Sequence, residues 1–119
     1  MAARVTAIVV KPNREFEVKQ ISDDLDGIKS ELDGGYLEAL MLNDDFHVYL
    51  DEEGKLKSLL PNVVATNFVG LFIPEFPNYD CIAGNIIILE NGSMGEERSL
   101  TNPGQVAEML VGCGGTQIR

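Results

Sequence analysis

Basic residues are scarce in this chain. Nine lysines and arginines stand against nineteen aspartates and glutamates among 119 residues, a formal net charge of −10. Such an envelope repels phosphate backbones and leaves no basic groove, which argues against direct nucleic-acid binding. The same charge suits basic partners, mimicry of nucleic acid, or plain solubility. Cysteine is nearly absent too: Cys81 and Cys113 are the only two, spaced for neither a metal site nor a disulfide framework, so a reduced, intracellular protein is expected. The opening apolar run breaks at Lys11 and Pro12, too short for a signal sequence or a membrane span. Without an export signal, the glycosylation pattern Asn91-Gly92-Ser93 has no consequence. Gly92 and Gly95 lack the Gly-Lys-Ser/Thr of a phosphate loop, and residues 51–54 lack the alternating oxygens and distal glutamate of a calcium loop. Neither a cofactor nor a metal is expected.

What is present describes a folded domain. Hydrophobic residues make up 45% of the chain and charged ones 24%, ordinary values for a globular protein, and this length closes a single core that buries roughly 65% of the extended-chain surface. Residues 5–11, a continuous apolar run of strand length, read as the first strand. Residues 16–20 alternate as a second strand, reached through a turn at Pro12, Asn13 and Arg14. Leu25, Ile28 and Leu32 have helical spacing, with Ser22 or Asp23 as the N-cap and Gly34 and Gly35 as the stop, which outweighs their use as an anion-binding nest. Asn62 caps a short helix through Phe68 or precedes a strand; Val63 and Val64 suit either. Pro74 and Pro77 punctuate an apolar loop whose aromatics are expected to tuck under the domain, and residues 81–90 read as a central strand covered on both faces. Residues 91–95 form a loop, and residues 101–111 a closing helix, capped by Thr101 or Asn102 with Pro103 in its first turn and Val106, Met109 and Leu110 buried. The expected fold class is α+β: a single domain over residues 1–112, an antiparallel or mixed sheet of about five strands with two helices packed on one face, and a flexible glycine-rich tail at 113–119.

The clearest local pattern is a hairpin of residues 36–43 and 46–51 around a tight turn of Asp44 and Asp45. Counting from Asn43 opposite Phe46 places Glu38 against Asp51. One face then carries Leu37, Ala39, Met41, Val48 and Leu50 toward the helices, and the other carries Tyr36, Glu38, Leu40, Leu42, His47, Tyr49 and Asp51. On that second face two carboxylates oppose each other and call for a proton, a cation, or Lys55, Lys57 or Arg98 to offset them. Nothing beside them has the ligand spacing of a metal centre or the convergence of an acid/base site, so no catalysis is expected. The lone His47 between Tyr36 and Tyr49 suits a contact surface or a structural role. The candidate binding residues are therefore Tyr36, Glu38, His47, Tyr49 and Asp51. Asn62 and Thr66 are expected to fix a bent backbone through side-chain bonds.

Gly34-Gly35-Tyr36 with Glu38, the turn Glu53-Gly54-Lys55-Leu56-Lys57, and Pro61-Asn62 leading to Ala65-Thr66 resemble a family of small phage and plasmid proteins, the domain-of-unknown-function family numbered 3846. Similar echoes occur in residues 5–11, in Ile82 with Gly84, and in Ser99-Leu100-Thr101 with Gln105-Val106. Residues 68–79 depart from it, being longer and more apolar than the family's connection. The resemblance implies a mobile-element origin and the cytoplasm of a bacterial host, and it carries over no catalytic residue. The expected function is a non-enzymatic accessory protein that binds a host protein, for host takeover or anti-defence, through the acidic, tyrosine-bearing face. The alternative is a small-molecule sponge for a nucleotide-like signal, with the ligand held between the sheet and residues 72–79. A homodimer through a sheet edge or the apolar loop is a further expectation.

Overall fold

The computed structural model describes residues 4–32, 36–54, 57–92 and 97–118, with the side chains of Tyr79 and Glu97 outside that description. Two apolar strands form the centre. β1 (Arg4–Val10) and β5 (Ile86–Asn91) pair antiparallel, with Ile8 opposite Ile88, and residues 7–10 and 86–89 are almost wholly inaccessible. Burial on both faces explains why these strands read as continuous apolar runs and not as alternating ones. β2 (Glu15–Ser22) returns against β1, while β3 (Leu37–Met41) and β4 (Phe46–Asp51) extend the sheet beyond β5. β6 (Glu97–Arg98) pairs with the end of β5, and β7 (Thr116–Gln117) lies parallel to β2. The result is a seven-stranded mixed sheet in the order β3-β4-β5-β1-β2-β7, with β6 off that path, richer than the five or so strands expected.

Each face has its own core. On one, α2 (Val63–Phe72) and α4 (Pro103–Gly112) press Val64, Phe68, Val106 and Leu110 onto Ile8, Val10, Val48, Ile86 and Ile88. α2, whose segment suits helix or strand by sequence, thus shares this face with the closing helix. On the other, α1 (Leu25–Ser30) sets Ile28, with Leu32 after it, against Val5, Ala7, Val9, Ile87 and Leu89. The α1 cap is Asp24, not Ser22 or Asp23: its extended backbone and its Oδ1, 2.7 Å from the Gly27 amide, satisfy the first turn. Leu25 stays exposed, and Gly34 and Gly35 lie outside the described residues.

Residues 63–72 settle as helix, and the reason is tertiary. Asn62 is fully buried. Its Oδ1 accepts from the Ala65 amide at 3.0 Å as an N-cap, while Nδ2 donates to the carbonyls of Gly84 at 2.8 Å and Val10 at 3.1 Å. Thr66 Oγ1 donates to the Asn62 carbonyl at 2.8 Å and accepts from the Ile82 amide at 3.0 Å. This latch is the structural role expected of Asn62 and Thr66. It also ties residues 82–84 to the segment before α2, where Pro61 and Ala83 form an isolated bridge outside the sheet, so that β5 begins at Ile86 and not at Cys81. The Pro-punctuated segment contains a short helix, α3 (Phe76–Tyr79), and Phe76 is buried as expected.

The hairpin differs by one residue from the expected register. Leu37 faces Asp51, Glu38 faces Leu50, Leu40 faces Val48 and Met41 faces His47. The turn is not a tight bend of Asp44 and Asp45. Asn43 joins the loop, its Oδ1 accepting from the amides of Asp45 and Phe46, both at 2.8 Å, while the Leu42 amide closes onto the Phe46 carbonyl. A short carboxamide that caps its own turn shifts the pairing by one, and a one-residue slip moves every side chain of one strand to the other face.

The C-terminal residues also depart from expectation. Cys113 is buried, the Gly115 amide donates to the Leu110 carbonyl, and the amides of Thr116 and Ile118 donate to the carbonyls of Arg14 and Phe16. A Cβ on Gly115 would come within 2.9 Å of the Phe16 ring, so this glycine serves close packing. Residues 113–118 thus continue the fold through β7, in place of the loose tail expected.

Candidate functional site

The five residues singled out from the sequence do not share a face. His47, Tyr49 and Asp51 lie on the α1 side of the sheet with Leu37, Ala39 and Met41; Glu38 lies on the α2 side with Leu40, Val48 and Leu50, and Tyr36 has the same parity as Glu38. Glu38 therefore does not oppose Asp51. Tyr36 is 65% exposed, whereas His47 and Asp51 are buried.

Both buried groups have structural partners. Asn91 Nδ2 donates to the carbonyls of Asn43 and Asp44, which turns Oδ1 toward His47 Nδ1 and assigns the proton to that nitrogen. The His47 and Tyr49 rings meet edge to face at 5.3 Å. Asp51 organises the turn that follows it: Oδ1 accepts from the Glu53 amide at 2.8 Å, and Oδ2 pairs with Lys57 Nζ at 2.7 Å. Lys57, one of the cations expected to offset this carboxylate, does so where Asp51 faces Leu37 and not Glu38. Gly54 completes the turn, since a Cβ there would stand 2.7 Å from the Ala83 carbonyl oxygen.

That close approach forms one end of a cleft of about 410 Å³. Leu40 and Leu50 of the hairpin line it together with Phe76 of α3 and Ile82. Glu38, Glu52 and Asp80 bring carboxylates to it, and Asp51 borders it where the turn begins. Cys81 stands exposed among them. No basic residue occurs among the described residues that line it. The Asn62 latch sets its depth, because the Asn62 amide donates to the Ile82 carbonyl at 2.7 Å while Thr66 holds the Ile82 amide. Sequence reasoning singled out Glu38 and Asp51 but missed Leu40, Leu50, Asp80 and Ile82. The available signal was the Pro-punctuated apolar segment, whose Phe76 reaches back to the sheet.

Among the described residues, no group of three or more histidines, cysteines and carboxylates is placed to hold a metal ion, and no helix is long and apolar enough to cross a membrane. Outside the cleft, Glu90 has its carboxyl held below the ordinary value, chiefly by the Thr101 amide at 3.0 Å and further by the Thr101 hydroxyl at 2.8 Å. Glu31 raises the Lys19 ammonium through a hydrogen bond at 3.0 Å, and burial pushes the Cys113 thiol up.

Fold and site together define an acidic α+β domain with an open, carboxylate-rimmed cleft between a hairpin and a short helix. The chain belongs to the family described as a domain of unknown function, DUF3846, whose model matches residues 5–110. No curated protein and no solved structure matches it.

Proposed function

We propose that this domain is a non-enzymatic binding protein of a mobile genetic element, and that it takes a lysine- or arginine-bearing segment of a host protein into the cleft between the hairpin and α3. The observation that carries this reading is the composition of that cleft. Leu40, Leu50 and Phe76 offer an apolar bed for the methylene stem of a long basic side chain, and Glu38 and Glu52, with Asp80 beside them, supply negative charge for its head. A net charge of −10 steers such a partner inward over longer range. The resemblance to small phage and plasmid proteins supports a host protein as the partner class, and the segments that carry it include Glu38, Gly54 and the Asn62 latch, which border or support the cleft.

A small ligand is the second reading, because a volume of about 410 Å³ falls within the range of small-molecule pockets. The same carboxylates then select a cation, such as an oligoamine, over a nucleotide, whose phosphates they repel. Tagged wild-type protein, crosslinked in host cells, is expected to retain a partner through a basic segment. Glu38→Arg/Glu52→Arg loses it, and Asp26→Arg/Glu108→Arg, with the same change in net charge, keeps it. Equal capture by all three proteins, or by none, refutes the proposal. Binding of spermidine by wild type, without a protein partner, establishes the second reading instead.

A further inference from the structure

β3 is an open edge. Among the described residues no strand lies beyond it, whereas the opposite edge of the sheet is the two-residue β7. Edge strands are usually blunted by charged side chains, lysine above all, by proline or by a bulge; β3, with the sequence Leu-Glu-Ala-Leu-Met, has no lysine, proline or bulge and a single charge, Glu38. Its backbone orientation follows from its ends: the Tyr36 carbonyl accepts from the Glu52 amide, and the Leu42 amide donates to the Phe46 carbonyl. Even-numbered residues therefore bond to β4, and the amides and carbonyls of Leu37, Ala39 and Met41 point away from the sheet.

From this edge we infer that two copies of the chain pair through β3, antiparallel, about a twofold axis at Ala39. That register sets Leu37 against Met41 of the second copy and Ala39 against its own equivalent, and it engages every outward group of the strand in about six main-chain hydrogen bonds. It is also the register that charge favours. Glu38, the only ionisable residue of β3, falls opposite Leu40 of the second copy and not opposite another Glu38. On the α1 side, the pairing brings together Leu37, Ala39 and Met41 of both copies, an apolar strip that includes the 62%-exposed Met41. The inference is independent of what the cleft binds.

Sedimentation equilibrium tests it. Wild type is expected to show twice the chain mass in the micromolar range, with association tightened by added salt, which screens repulsion between two acidic copies. Ala39→Pro removes an outward amide and no bond to β4, so it is expected to keep the wild-type circular dichroism and to weaken dimerisation about tenfold or more. In a Cys81→Ser background, Ala39→Cys is expected to form a disulfide-linked dimer on mild oxidation, and Glu38→Cys is not, since only position 39 meets its own equivalent. A monomeric wild type, a dimer unaffected by Ala39→Pro, or faster crosslinking at position 38 than at 39 overturns the inference.

Discussion

Replacing Asn62 by alanine removes a side chain that serves α2, β1 and the residues before β5 at once. The Ala65 amide loses its cap, and the carbonyls of Gly84 and Val10 lose a donor in a site with no access to water. An N-cap deletion costs about 1 kcal/mol, and each buried group left without its partner costs about 1–3 kcal/mol. Because Val10 also lies in the sheet, where its carbonyl has a ladder to draw on, we expect a total of about 3–5 kcal/mol, a large share of the ~5–15 kcal/mol of a whole domain. With a urea slope of about 1–3 kcal/mol/M, the unfolding midpoint falls by roughly 1–5 M. Asn62→Asp is the sharper variant, since it keeps the capping oxygen but aims a carboxylate at two carbonyls. It is expected to be at least as damaging as alanine. An Asn62→Asp protein within about 0.5 kcal/mol of wild type would refute the assignment of Nδ2 to Val10 and Gly84.

Other consequences are open to direct measurement. Thr66→Val keeps the shape but loses the hydroxyl that links Asn62 to Ile82; a loss of about 1–2 kcal/mol in urea denaturation is expected, and no loss would remove Thr66 from the latch. Gly54→Ala drives a methyl group toward the Ala83 carbonyl and should cost about 1–3 kcal/mol, seen as a lowered thermal midpoint. In thiol labelling at neutral pH, Cys81 reacts quickly and Cys113, buried and with its thiol pushed up, reacts only as the protein unfolds; equal rates would contradict its burial. The Glu90 carboxyl is lower in the folded chain than its ordinary 4.5, so its bonds to Thr101 contribute full stability above that pH and lose it as acid carries the folded group through its own lower value. Glu90→Gln, which removes the titrating group, should flatten this part of the acid-unfolding profile, while Thr101→Val, which loses the hydroxyl and keeps the amide, should flatten it only in part; a profile unchanged by Glu90→Gln would refute the assignment.

The amino-acid sequence by itself determined the class of fold and the position of most elements. The apolar runs around Val9 and Ile87 read as strands, and Thr101 or Asn102 followed by Pro103 marked the start of α4, because these signals depend on local periodicity and length and on capping groups that act within one turn. The acidic character of the surface was legible in the same way. Tertiary structure decided the register of the hairpin. Leu40, Met41 and Leu42 are all apolar, so alternation could not say which faced the core, and the pairing followed from the Asn43 cap and from packing of Leu40 and Val48 beneath α2. It decided the helix at 63–72 as well, where β-branched Val63 and Val64 left the local preference divided until the buried Asn62 amide found Val10 and Gly84. The cleft belongs to the same category: Leu40, Gly54, Phe76 and Ala83 are distant in the chain, and only the docking of the turn after β4 against the residues before β5 brings them around one space.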